Sequence, residues 1–119
     1  MMKIQEIANS LVDLLRQKKF LDAQVQLFTI DAISLEPELY KQRSVFGLDA
    51  MIIKEKRFLS NIKKWNHFTI SEPLLSLDHF TIHMITDVTL KNEERIHIDE
   101  IIVYEVESGK IIKEQFFYK

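Results

Sequence analysis

Apolar positions repeat at two different intervals along this chain, and the change of interval divides it. Ile4, Ile7, Ala8, Leu11, Leu14 and Leu15 recur every three or four residues, the stripe of an amphipathic helix. Arg16, Lys18 and Lys19 gather at its C-terminal end, where cations suit the helix dipole. Residues 20–28 predict a second, shorter helix. Asp31-Ala32-Ile33-Ser34-Leu35-Glu36 then alternates apolar and polar until Pro37 stops it, which predicts a short strand. A polar connector, residues 38–44, leads to a third helix after Gly47. Its predicted stripe is Leu48, Met51, Ile52, Phe58 or Leu59, Ile62 and Trp65, with Lys54, Lys56, Arg57, Lys63 and Lys64 on the solvated side.

Beyond Asn66 the helical interval disappears. Residues 67–77, 79–90, 94–106 and 111–118 are rich in β-branched and aromatic types and predict strands. Lys91-Asn92-Glu93 and Glu107-Ser108-Gly109-Lys110 are short and polar, as hairpin turns require. Helices first and a meander last predict one α+β domain over residues 1–119, three N-terminal helices on a curved antiparallel sheet.

If Leu90 faces Arg95 and Val106 faces Ile111, one sheet face carries Thr81, His83, Ile85, Asp87, Ile98, Glu100, Ile102, Tyr104, Gln115 and Phe117. The other carries Phe80, Ile82, Met84, Val88, Ile101, Val103, Ile112 and Phe116. A one-residue bulge would exchange the faces along part of a strand. Neither face is polar enough for water, so a homodimer through one of them is expected, with the helices on the other. The mixed face, apolar with convergent polar groups, suits the lining of a pocket for a small, partly apolar organic molecule.

Composition narrows the function classes. The chain has no cysteine, which removes disulfides, thiolate catalysis and Cys-ligated zinc. A formal net charge of −2 provides no field for nucleic acid or an anionic membrane. No apolar run reaches the ~20 residues of a membrane span, and the N-terminus lacks the apolar segment of a secretory signal, so a cytoplasmic location is expected. Four histidines invite a metal reading, but His79 and His83 on one strand stand about 13 Å apart. In this register His97 faces away from His83, and His67 lies on another strand. Neither a metal nor a cofactor is expected.

The segment Gln26-Leu27-Phe28-Thr29-Ile30-Asp31-Ala32-Ile33-Ser34-Leu35-Glu36-Pro37 resembles the helix-to-strand signature of the nuclear transport factor 2-like superfamily. So does the closing Val103-Tyr104-Glu105-Val106-Glu107-Ser108-Gly109-Lys110-Ile111-Ile112, with Glu114-Gln115-Phe116-Phe117-Tyr118 after it. With Gly47-Leu48-Asp49-Ala50 and Asp87-Val88-Thr89, the pattern is similar to a SnoaL-like subgroup of small bacterial proteins. The resemblance implies a cone-shaped, cystatin-like α+β fold, commonly dimeric, with a pocket for a small apolar molecule. Isomerases, cyclases and dehydratases share that fold with non-catalytic binding modules.

Glu36 is the sharpest candidate for chemistry. Glu36-Pro37 resembles the place where ketosteroid isomerase carries its catalytic carboxylate, and a carboxylate in an apolar cone can shuttle a proton beside a carbonyl. The plainer reading is a strand-end carboxylate that is solvated or paired with a nearby Lys or Arg. The remaining apparatus of that isomerase does not match. Its helix-1 tyrosine falls near Val12 and its second acid near Ile101 or Ile102, which argues against that activity. Glu100 and Tyr104 are the possible substitutes as catalytic groups. His83, Asp87, Ile102, Gln115, Phe117 and Trp65 complete the expected ligand-binding set. A cross-strand network that merely satisfies these polar groups is the alternative.

Overall fold

The computed structural model describes residues 1–41 and 43–119; Gln42, within the predicted connector, lies outside them. Three helices, α1 (Ile4–Arg16), α2 (Phe20–Leu27) and α3 (Leu48–Ser60), pack on one face of a curved, unclosed seven-stranded sheet. The strands are β1 (Phe28–Leu35), β2 (Ser44–Phe46), β3 (Ile62–Ile70), β4 (Leu74–Leu75), β5 (His79–Leu90), β6 (Arg95–Glu107) and β7 (Lys110–Phe117). Their order is β2-β1-β7-β6-β5-β3, with β4 on β5. All pairs are antiparallel except β1–β7, which is parallel.

Of the predicted stripe of α1, Ile7, Ala8, Leu11 and Leu15 are buried and Ile4 and Leu14 partly so, while Val12, outside that stripe, is buried with them. These pack with Phe20, Ala23, Leu27, Phe80, Ile82, Ile102 and Ile111 into one continuous core. Each of the larger side chains among these contributes roughly 1.5–3 kcal/mol by leaving water, which is why the helices stay on the sheet.

The third helix is shorter than expected. It ends at Ser60, and Ile62 and Trp65 belong to β3. Register shifts at Ile62/Lys64 and Trp65/His67 let Ile62, Trp65 and Phe68 all face inward at three-residue intervals. A twice-bulged strand thus imitates a helical period.

The β5–β6 register is also displaced by one residue. Thr89 pairs with Arg95, Asp87 with His97, Met84 with Glu100, Ile82 with Ile102 and Phe80 with Tyr104. The cause is the turn. Glu93 adopts a left-handed conformation (φ 71°) and its N–H donates to the Leu90 carbonyl at 2.9 Å. That makes a three-residue loop with a bulge, built with Glu where Gly is usual. At the next hairpin Ser108 and Gly109 both have positive φ, and Val106 does pair with Ile111. Glu105 then pairs with Lys113, so Ile112 is an extra residue and the remainder of β7 is inverted.

The inner face therefore carries Phe80, Ile82, Met84, Thr86, Ile98, Glu100, Ile102, Tyr104, Glu114 and Phe116. His83, Asp87, Gln115 and Phe117 stand on the outer face.

Candidate functional site

A cavity of about 210 Å³ lies between the inner face and the three helices. Leu11 and Leu15 of α1, Phe20 and Ala23 of α2, and Phe58 and Leu59 of α3 form its helical wall. Met84, Ile98, Ile102 and Phe116 form the sheet wall, and Trp65 and Phe68 of β3 close one side. Trp65 is braced: its ring stacks on Phe20 at 5.7 Å, Phe68 meets it edge-on at 5.2 Å, and the Lys18 ammonium sits 5.1 Å from its centre.

Polar groups enter this apolar hollow from four elements. Glu36 follows β1 and is fixed by the chain stop at Pro37 and by its own N–H donating to the Arg43 carbonyl. Its carboxylate is claimed by two donors. Lys54 Nζ of α3 reaches Oε1 at 3.0 Å, and the Tyr118 hydroxyl reaches Oε2 at 2.9 Å. The Glu36 side chain is only 12% exposed. It is the paired strand-end carboxylate, set in the cavity wall.

Alternation along β6 puts Glu100, Ile102 and Tyr104 side by side on the lining. Glu100 is 6% exposed, and no described residue gives it a hydrogen bond or an ion pair. Burial pushes its carboxyl up to about 8, assisted by repulsion from Glu36, Glu114 and Glu55. On β7 the inversion at Ile112 turns Glu114 inward, where it accepts a hydrogen bond from Ser34 Oγ at 2.7 Å. Burial raises Glu114 to about 8 against the opposing pull of that bond. Glu55 of α3 is raised to about 7, again by burial, with Lys54 pulling the other way. The Tyr104 phenol, 3% exposed and stacked on Phe80 at 4.8 Å, is held well above its ordinary range by burial. Three carboxyls titrating near neutrality, beside a phenol that stays protonated, can hold, accept and donate protons inside an apolar wall.

Of the residues singled out from sequence, Glu36, Trp65, Glu100, Ile102 and Tyr104 line this cavity. His83, Asp87, Gln115 and Phe117 do not, because the Glu93 and Ile112 bulges place them across the sheet. There His83 bonds Asp99 at 2.6 Å. Asp87 is bound by both Arg95 nitrogens at 2.9 and 2.7 Å, with His97 and Asn66 beside it, and Arg95 holds its carboxyl far below the usual range. Among the described residues no group of three or more His, Asp or Glu side chains is placed to hold a metal ion.

Sequence reasoning passed over Glu55, Glu114, Lys54 and Tyr118. Glu55 was readable as part of a stripe, since Met51, Glu55, Phe58 and Leu59 share one helical face; its lysine neighbours hid it. Glu114 shares the alternation of Phe116, but only the bulge decides which way both point.

A family model described as a SnoaL-like domain matches residues 2–118. Among solved structures, one from Mesorhizobium loti, provisionally titled a SnoaL-like polyketide cyclase [carbohydrate phosphatase], superposes with a TM-score of 0.90. It is 30% identical, over 98% of this chain and 100% of that one. A Xanthomonas campestris protein of unknown function with a cystatin-like fold superposes at 0.79, with 15% identity over 98% and 91% of the two chains. A Catenulispora acidiphila protein with a ketosteroid isomerase-like fold, solved with trimethylamine, superposes at 0.74, with 16% identity over 99% and 88%. No curated protein matches the chain.

Proposed function

The chain belongs to the SnoaL-like domain family, within the nuclear transport factor 2-like fold, and we propose that it binds a small, partly apolar organic molecule in this cavity. The supporting observation is the hollow itself, about 210 Å³ with aromatic walls and a buried, unpartnered Glu100 facing into it. A dry cavity of ~150 Å³ holds one benzene, so this one suits a single ring with a short substituent. Trp65 is the sole tryptophan and lines the site, so its fluorescence reports occupancy directly. Ring-sized fragments that raise the melting temperature should also shift Trp65 emission. If none of a few hundred such fragments alters Trp65 emission, the proposal fails.

A second reading, an enzyme of the isomerase, cyclase or dehydratase kind, is favoured by one observation. Glu100 and Glu114 titrate near 8 and Glu55 near 7, close to a working pH. Glu36 acts as base in that scheme only once released by Lys54 and Tyr118. Glu100, with Tyr104 two positions along the same face, is the freer acid–base group. Deuterium uptake beside the carbonyl of a bound ketone, followed by NMR, separates turnover from binding.

The outer sheet face carries Ile101 and Phe117 as direct neighbours, 43% and 49% exposed, with Val103 and Ile85 alongside. We propose that two copies pair through it, in the cytoplasm, where among the described residues no helix is long and apolar enough to cross a membrane. Sedimentation of the wild type as a dimer and of Ile101→Lys as a monomer is the expected result. A wild type that is monomeric at every concentration overturns it.

A further inference from the structure

Four glutamates, Glu36, Glu55, Glu100 and Glu114, converge on the cavity against one lysine, Lys54. That lysine is already committed to Glu36 at 3.0 Å, and Glu114 has only a serine hydroxyl for company. Glu100, 94% buried, has no partner at all among the described residues. A buried carboxylate without a counter-charge is costly: it either keeps its proton or takes a counter-charge from the protein or from a ligand. Here no described lining residue supplies it. The apolar part of the wall includes Phe58, Trp65, Phe68 and Phe116; Lys18 already sits over the Trp65 and Phe68 rings, so these two offer a ligand apolar contact.

We propose that the molecule this cavity takes is a cation, an organic amine whose ammonium group seats against Glu100 between Glu55 and Glu114 while its ring or short chain lies against Trp65 and Phe68. This deepens the small-molecule reading above and rests on it. An anion would meet three carboxyls not matched by any cation. A neutral molecule of the same shape would leave Glu100 and Glu114 protonated and gain no charge pairing from them.

The chemistry fixes a signature. The titratable groups lining the cavity with Glu100 are Glu36 from the end of β1, Tyr40 from the connector after it, Lys54 and Glu55 from α3, Tyr104 from β6, and Glu114 and Tyr118 from β7 and its extension. In the empty cavity Glu100 and Glu114, titrating near 8, hold protons at neutral pH. An entering ammonium favours the ionised form and displaces a proton. For one proton released, affinity rises by up to roughly tenfold per pH unit below 8. It falls again only where an aliphatic amine itself deprotonates, near pH 10.

The test uses three probes of one shape, 2-phenylethylamine, 2-phenylethanol and phenylacetate, titrated into the full chain and read by Trp65 fluorescence from pH 6 to 9. The amine is expected to bind at least tenfold more tightly than either of the others at pH 8, with that advantage shrinking toward pH 6. Calorimetry in buffers of different ionisation enthalpy should show proton release for the amine alone. Glu100→Gln should cost the amine about tenfold more than it costs the alcohol and flatten the amine's pH slope; Glu55→Gln, on a different element, should do the same to a lesser degree. Equal or tighter binding of the alcohol or the phenylacetate, or an amine affinity independent of pH, overturns the cation and leaves the small-molecule reading standing. Failure of all three probes to move Trp65 emission overturns both.

Discussion

Glu100→Gln tests the energetics of the cavity without any ligand. In the folded chain this carboxyl titrates at about 8, against an ordinary value of 4.5. A raised folded value means that the native state holds its proton where the unfolded chain has lost it. The contribution to stability is complete below pH 4.5 and is progressively lost as pH rises toward 8. At 1.36 kcal/mol per unit, the loss is about 3 kcal/mol at pH 7 and approaches 5 kcal/mol above pH 8. Gln has the shape of the protonated acid and no charge to lose. The variant should therefore match wild type within about 1 kcal/mol at pH 5 and exceed it by about 3 kcal/mol at pH 7, or roughly 10 °C in melting temperature. The gap should widen further at pH 9. Urea denaturation at the three pH values measures it. An increment that stays constant with pH, or a variant weaker than wild type at pH 9, refutes the reasoning, because it would mean that Glu100 is solvated or paired.

Ser34→Ala removes the hydroxyl that Glu114 accepts from and should cost roughly 1–2 kcal/mol, more at pH 9 than at pH 6 because the ionised acid needs that donor more. Urea titrations at both values decide it. Asp87→Asn should destabilise at pH 7, since Arg95 holds that carboxyl below its ordinary 3.8; the deficit should fade as pH falls below that value, as thermal melts would show. Phe80→Ala, at a residue 1% exposed and stacked on Tyr104, should cost about 3–5 kcal/mol and loosen the Tyr104 wall, measured by urea denaturation and Trp65 emission.

The sequence made some features plain because a single interaction dominates there. The stripe of α1 has no competing pattern, and Pro37 ends β1 for want of an N–H. The long β5 and β6 runs announce strands through side-chain type alone. Other features turned on backbone choices without a residue signature. Glu93 takes a conformation that Gly or Asn usually marks, so the β5–β6 slip was invisible. The bulges of β3 spaced Ile62, Trp65 and Phe68 like a helix. Glu36, Glu100 and Tyr104 were recognisable as lining because each sits with apolar neighbours at strand spacing. His83, Asp87, Gln115 and Phe117 were misplaced by one residue of register and nothing more.

The extra residue at Ile112 gives β7 a kind of reversible wiring. Upstream of it the hairpin is fixed by Ser108 and Gly109; downstream, every side chain points where that single insertion sends it. Removing Ile112 would heal the bulge and leave Glu114 opposite Tyr104 and Phe116 opposite Ile102, both still in the hollow; pairing Ile112 itself with Glu105 would instead withdraw them and deliver Gln115 and Phe117 in their place. A bulge opened or closed at constant chain length could thus exchange an acidic wall for a neutral one while the scaffold stays as it is, a route by which members of one fold acquire different ligands in a single step.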